Sequence, residues 1–478
     1  MGAPTWGVIM AKTTESTESE STQAARTLKR ERKLSAEERV ARGKAAREAT
    51  PRASHANWEP SPDRPDLVSL LKEQAETRLP DLIAIRHGRM SASPFTFYRG
   101  SAIVMADDLA GSPTSGIKVQ LCGDAHLSNF GVFGSPERQM LFDLNDFDET
   151  LPGPWEWDVK RMAASFVVGA RSVAFPKGTG RQASMASVES YRTHMADFAA
   201  MRDLDVWYSH ISSEDIMAAT TGAAMRKRVE AGMAKARTKD SLQAFSKLTT
   251  VVDGKPRIVD DPPLLVRVEV ADLPVDIEDL LRQYRRTLQD DRKHLLERYE
   301  FVDLARKVVG VGSVGTACFI ALLAGHDDAD PLFLQVKEAQ SSVLERHLPK
   351  SRYRNHAQRV VAGQRLMQAA SDIFLGWIRG PQRDFYWRQL RDMKGSAVVE
   401  NMPPETFVAY AGLCGWAMAR AHARSGDRIA IAAYLGKSNA FAKAIAEFSE
   451  RYADQAERDH QVMLDAIAKG TIQAEPGV

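Results

Sequence analysis

The chain is 478 residues long, 26% charged and 44% hydrophobic, with a formal net charge of +2. Such a length accommodates roughly two to three domains, or one domain with insertions. The near balance of charge argues against broad electrostatic binding of nucleic acid. Cys122, Cys318 and Cys414 lie far apart in apolar surroundings, which reads as reduced core thiols in a cytoplasmic setting rather than a disulfide or zinc framework. No apolar run approaches the ~18 residues of a membrane span, and residues 1–10 lack the charged start of a signal peptide. No membrane partner is therefore expected, and the oligomeric state is open.

Residues 11–58 are rich in Thr, Ser, Glu, Lys and Arg and nearly empty of large apolar side chains. Burial cannot offset the entropy of ordering such a segment, which predicts a disordered or partly helical tail over 1–58. Its basic cluster at Lys29–Lys33 reads as a solvated tail. Leu67, Leu70 and Leu71, then Leu79, Leu82 and Ile83, predict two short helices broken at Pro80. The aromatics of Ser93-Pro94-Phe95-Thr96-Phe97-Tyr98 predict a strand, flanked by Arg86, Arg89 and Arg99. Those arginines suit either bidentate binding of a phosphate or carboxylate or ordinary ion pairing.

Residues 123–131, Gly-Asp-Ala-His-Leu-Ser-Asn-Phe-Gly, put Asp124, His126 and Asn129 on one loop between apolar, strand-like flanks. An Asp followed five residues later by Asn is the spacing with which kinase-type loops set a base beside a magnesium ligand. The alternative is a turn whose polar groups only satisfy the backbone. A strand over 139–142 then runs into Asp143-Leu144-Asn145-Asp146-Phe147-Asp148-Glu149. So many carboxylate and amide oxygens repel unless a cation or basic groups lie nearby, and a hard metal ion is the economical partner. Glu156 opens a helix whose stripe is Val159, Met162, Ala163, Phe166, Val167 and Ala170, with Asp158 in its first turn able to brace the preceding loop.

From 183 to 300 the pattern is mainly helical, interrupted by a hairpin at Asp253-Gly254. Trp207, Tyr208 and His210 fit core packing better than a substrate cleft. Residues 305–339 are β-rich around Gly310-Val311-Gly312-Ser313-Val314-Gly315, and a following strand delivers Lys337. A dinucleotide-binding turn would require a full helix after the glycines; a glycine-rich hairpin followed by a lysine-bearing strand fits better, with amides and an ammonium meeting phosphates. Helices are predicted over 359–377, around Phe407 to Ala421, and over 439–467, with a strand at 385–390. Candidate partners of Lys337 are Glu338, Glu345 and Gln364.

The run from Gly123 to Asn129 resembles the catalytic loop of aminoglycoside phosphotransferases and related small-molecule kinases, with Cys122 where their first His usually stands. Asp146-Phe147-Asp148 resembles their metal-binding segment, and Asp158 falls where they carry an Asp at the start of the next helix. Over about residues 60–470 the chain also resembles a bacterial family catalogued as domain of unknown function 2252, through Arg89-Met90, Ser93-Pro94-Phe95, Tyr98-Arg99-Gly100, residues 123–131 and residues 145–161. The resemblance to kinases implies an α+β, protein-kinase-like two-lobe fold. Because the catalytic loop precedes the glycine loop by about 180 residues, that fold would be circularly permuted, with helical insertions.

The expected parts are a 1–58 tail, a catalytic-loop and metal part of the C-lobe over 59–182, a helical segment with a hairpin over 183–300, an N-lobe-like part over 301–396 and a helical C-lobe part over 397–478. The activity implied is ATP-dependent phosphoryl transfer to an unknown hydroxyl-bearing acceptor, a small molecule or a protein. Asp124 would be the base with His126 shaping its loop. Asn129, Asp146 and Asp148 would hold Mg2+, and Gly310, Gly312, Ser313, Gly315 and Lys337 would bind ATP. Asp427 is a weaker rival base because position 432 is Ala. The alternatives are a metal-dependent phosphoesterase, which Gly-Asp-x-His at 123–126 also suits, and a non-catalytic, nucleotide-binding pseudokinase.

Overall fold

Elements form where side-chain periodicity and capping chemistry agree, and a computed structural model of the protein describes residues 34–220, 222–269, 276–327, 330–390 and 393–478. The basic cluster at 29–33 lies outside the described residues. From residue 34 the tail is helical: Ser35 and Glu38 form a reciprocal cap for the Ala36–Ala49 helix. That helix packs closely on Arg428–Leu435, where a Cβ at Gly43 would lie 2.2 Å from the Ala430 carbonyl oxygen.

The architecture is mixed α+β. Its largest sheet has six antiparallel strands in the order Gly376–Arg379, Asp384–Gln389, Pro331–Ala339, Cys318–Ala324, Glu300–Lys307, Leu265–Arg267. Period-2 alternation covers both faces: Ala321, Leu323, Leu334 and Val336 pack with Tyr284 and Trp387, while Ile320, Leu322 and Phe333 pack with Leu248 and Ile258. Glu300–Lys307 and Cys318–Ala324 are joined by the glycine-rich turn, and Lys337 sits between Cys318 and Tyr386 in register. The His356–Met367 helix follows the lysine strand.

A second layer carries the polar loops. Lys118–Leu121 pairs with Leu151–Pro154, and Phe130–Gly134 pairs with Met140–Leu144, so the loops at 122–129 and 145–150 leave neighbouring strand ends side by side. Beneath them lie the Trp155–Ser172, Thr179–Ala200, Pro404–Ser425 and Ala440–Ala468 helices, with Trp155 stacked on Tyr191 at 5.5 Å in the main core. Among the described residues no helix is long and apolar enough to cross a membrane.

Two helices break at Pro80 as the pattern requires, Leu67–Ala75 and Pro80–Ser91, with Pro80 in the first turn of the second. The hairpin is also present, Thr249–Val252 with Lys255–Ile258, and both Asp253 and Gly254 take positive φ. Two expectations fail. Residues 94–100 form a helix rather than a strand, because Ser93 and Thr96 cap it reciprocally and Pro94 starts it; local capping outweighs the aromatic content. The helix expected over 359–377 ends at Met367, where the Asp143 carboxylate accepts from the Ala369 amide at 2.8 Å and the chain returns as the Gly376–Arg379 strand.

Candidate active site

The loop at 122–129 is built from below. Asp158, at the start of the Trp155–Ser172 helix, accepts hydrogen bonds from the amides of Cys122 at 2.7 Å and Gly123 at 2.9 Å. His422 Nε2 lies 3.2 Å from the same carboxylate, and Tyr191 OH lies 2.9 Å from His422 Nδ1. Tyr410 donates to the carbonyls of Leu127 and Phe130. Gly123 has φ +86°, and a Cβ there would lie 2.3 Å from the Glu149 carbonyl oxygen, so only glycine lets the two loops touch.

Asn129 ties those loops together. Its Oδ1 accepts from the Asp146 amide at 2.7 Å, and its Nδ2 donates to the carbonyls of Asp124 and Asp146. The Asp124 Oδ1 accepts from Arg161 Nε at 2.6 Å, and the Arg161 guanidinium also covers the Tyr98 ring at 4.5 Å. Burial disfavours the charge on Arg161, but Asp124 outweighs it and the pKa rises. His126 is buried; burial and nearby Arg99 and Arg161 push its imidazole down to about 4, so it is neutral near pH 7. Its Nε2 stands 3.8 Å from Asp124 Oδ2.

Opposite, Lys337 Nζ donates to Asp148 Oδ2 at 2.7 Å and to Asp146 Oδ2 at 3.2 Å, joining residues 189 and 191 apart in sequence. Tyr386 OH donates to Asp148 Oδ1 at 2.7 Å. Lys337 is 3% exposed, whereas Asp146 and Asp148 keep 39% and 27% of their side-chain surface. Burial opposes charge on all three. Lys337 and Arg388 nevertheless pull Asp146 down to about 2, Asp146 repels the charge on Asp148 and raises it, and the two carboxylates hold Lys337 well above its ordinary value. Glu338 is engaged by Arg383 and the Ala317 amide, and Gln364 by Gln368. Among the described residues neither is hydrogen-bonded to Lys337, whose carboxylate partners are Asp146 and Asp148. The helix after the lysine strand contributes Arg359 instead, which donates to the carbonyls of Asp148, Thr150 and Gln340.

The glycine turn is pinned from the N-terminal helices. The Leu79 amide donates to the Gly315 carbonyl at 2.7 Å, Arg78 to that of Val314, and Arg89 to that of Gly310 at 2.7 Å. Gly315 has φ +92° and a Cβ there would meet the Arg78 side chain at 3.0 Å. Ser313 Oγ lies 3.4 Å from Asp148 Oδ2.

One cleft of about 920 Å3 is lined by Asp124, His126, Asn129, Asp146 and Asp148 on one side and by Gly310, Gly312 and Ser313 on the other. Gly315 and Lys337 stand behind these walls, with Lys337 reaching the cleft through its two carboxylates. Asp427 is elsewhere, capping Arg428–Leu435 and pairing with Arg39 and Arg42. Trp207 and Tyr208 are exposed and do not line the cleft. Arg78, Arg161, Arg359 and Arg388 are functional neighbours that sequence reasoning passed over; Arg161 alone left a signal, three residues after Asp158 on the same helix face.

Among the described residues no three or more His, Cys, Asp or Glu side chains converge as a metal-ligand group. A magnesium ion does not require one, since one or two carboxylates with waters and substrate phosphates suffice. Asp146 fits that role: Lys337 and Arg388 hold its carboxyl down, it keeps part of its surface open to the cleft, and Lys337 donates to both of its oxygens. Asp148 is more fully engaged, and Asn129 Oδ1 already accepts one hydrogen bond.

The fold and cleft thus define a mixed α+β protein with two remote segments meeting at one polar site. A family model described as an uncharacterised protein conserved in bacteria, DUF2252, matches residues 78–466, and the chain belongs to that family. No curated protein and no solved structure matches the chain.

Proposed function

We propose that the protein is an ATP-dependent phosphotransferase with a circularly permuted, kinase-like arrangement. The observation that carries this reading is the contact of Lys337 with Asp146 and Asp148 in a cleft whose facing walls hold Asp124 and the glycine turn. Phosphoryl transfer asks a protein mainly to position groups and neutralise charge, and these are the groups it uses. The order strand, glycine turn, strand, lysine strand, helix, two strands supports the same reading.

In this mechanism Asp124 accepts the proton of an acceptor hydroxyl, and Arg161 fixes the carboxylate's orientation. His126 shapes the loop; with its imidazole pushed down to about 4 it carries no proton to donate near pH 7 and is a weaker base than an ordinary histidine. The glycine turn offers backbone amides to the nucleotide phosphates while Lys337 neutralises their charge. Asp146, with Asp148 and Asn129 beside it, would hold magnesium, which supplies further neutralisation of phosphate charge when bound.

The test is ATP binding with magnesium by the full chain, coupled to mass-spectrometric detection of phosphorylated products in a cell extract. Wild-type protein is expected to generate a product, while Asp124→Asn binds ATP to within about twofold and loses transfer by about 10²–10⁴-fold, the range for a general base. Unchanged turnover in that variant would sink the assignment. A second reading, a nucleotide-binding pseudokinase, draws on the helix after the lysine strand, which turns Arg359 rather than an acid towards the acidic loop; ATP binding without any product would favour it. A phosphoesterase would instead hydrolyse a simple phosphoester without nucleotide.

A further inference from the structure

Arg86 and Arg89 precede the Pro94–Gly100 helix and Arg99 lies in its last turn; the first two donate to neighbouring oxygens, although Nε and Nη1 of Arg86 are also buried without a partner. Arg86 donates to the Gln74 side chain and the Gly100 carbonyl. Arg89 donates to the carbonyls of Gly310 and Val478. Arg99 differs. Among the described residues its guanidinium makes no hydrogen bond and no ion pair, and its Nε is buried without a partner. It nonetheless lines the cleft, as Asp124 and His126 do.

Its position is equally informative. The Arg99 carbonyl oxygen lies 3.2 Å from where a Cβ of Gly312 would stand, so the residue adjoins the tip of the glycine turn. Asp124 is close enough for its charge to act on Arg99, and Glu400 acts from farther along the chain. Burial works against the guanidinium charge, and neither carboxylate closes to an ion pair. A partly buried cation without a bonded anion loses hydration that nothing replaces, whereas a planar guanidinium is suited to an oxyanion.

We infer that Arg99 anchors an oxyanion, a phosphate or a carboxylate, in the part of the cleft between Asp124 and the glycine turn. The source of that oxyanion rests on the phosphotransfer reading: it is either the terminal phosphate of the nucleotide or an anionic group on the acceptor. The seat itself rests only on the geometry of Arg99.

The experiment titrates orthophosphate, ADP with magnesium and ATP with magnesium separately into the full-length wild type, Arg99→Gln and Arg99→Lys, and repeats the orthophosphate titration over saturating ADP with magnesium. Wild type is expected to bind orthophosphate, and Arg99→Gln to bind it about tenfold or more weakly, the scale of a lost charge-assisted hydrogen bond. ADP affinity and the thermal midpoint should be retained, and Arg99→Lys should recover part of the orthophosphate affinity. A matching loss for ATP assigns the seat to the nucleotide's terminal phosphate; retained ATP affinity with orthophosphate binding lost over ADP assigns it to an anionic acceptor. Equal orthophosphate affinity in wild type and Arg99→Gln, or none in wild type, overturns the proposal. If wild type binds no nucleotide while orthophosphate still depends on Arg99, phosphotransfer fails and the oxyanion seat stands.

Discussion

Asp143 and Asp146 lie three residues apart at the end of one strand, yet they sit in opposite electrostatic worlds. Asp143 is 1% exposed and meets Arg420, itself 0% exposed, at 2.7 and 2.9 Å, with the amides of Leu144 and Ala369 taking its remaining lone pairs. Asp146 keeps 39% of its side-chain surface and shares Lys337 with Asp148. The first carboxylate is sealed and every partner is protein. The second is half-open, and its cation is divided between two anions, leaving lone pairs for something that enters the cleft. A carboxylate whose lone pairs are all taken makes a joint, even though Nε and Nη1 of Arg420 stay unpartnered, whereas a carboxylate left partly open beside a cavity makes a site.

The sharpest way to break this contrast is to remove one member of the sealed pair. Arg420→Met leaves Asp143 buried and unpaired, and an apparent stability loss of about 3–5 kcal/mol is expected in urea denaturation. Lys337→Met comes next: with the shared cation gone, Asp146 and Asp148 repel across the cleft floor, and binding of ATP with magnesium should become undetectable in calorimetry. Asp146→Ala should move the urea midpoint far less than Arg420→Met does, while lowering magnesium-dependent nucleotide affinity by about tenfold or more. A stability loss in Asp146→Ala as large as that in Arg420→Met would erase the distinction between joint and site.

The smallest expected effect concerns pH. His126 is held near 4 in the folded chain against an ordinary value of 6.5. As pH falls from 6.5 towards 4 the unfolded chain takes up a proton that the folded chain refuses, so this residue's contribution to stability is full above 6.5 and declines across that window. His126→Asn should flatten the acid slope of the thermal midpoint between those values. An unchanged slope would mean that the imidazole is not held neutral by its burial.

Much of the local structure was legible because it is encoded within a few residues. Pro80 splits two helices, Asp253-Gly254 turns a hairpin, and the stripe from Val159 to Ala170 marks a helix, although that helix is buried on every side from Trp155 to Ala170 rather than on the stripe alone. The loop chemistry of Asp124, His126 and Asn129 was legible as residue types at a spacing, and Asp158 was correctly expected to brace its neighbouring loop. The reading of residues 93–98 as a strand failed because aromatic content is a weak preference, and the Ser93–Thr96 cap decides the backbone more strongly.

Partner choice was a different matter. Nothing near Lys337 in sequence announces that its anions are Asp146 and Asp148, or that Arg359 rather than a glutamate would hold the acidic loop from the following helix. Likewise, three arginines of one type and one neighbourhood were indistinguishable until packing assigned carbonyl and amide acceptors to Arg86 and Arg89 and, among the described residues, no hydrogen-bonded partner to the Arg99 side chain. The sequence by itself determined most of the strands, turns and helices, and which side chains are able to carry charge or bind it, because capping and periodicity act over a few residues, whereas the end of the His356–Met367 helix is set by the distant Asp143. Only the tertiary structure decided which of those charges are sealed and which remain open, because desolvation and ion pairing depend on chain segments brought together across nearly two hundred residues.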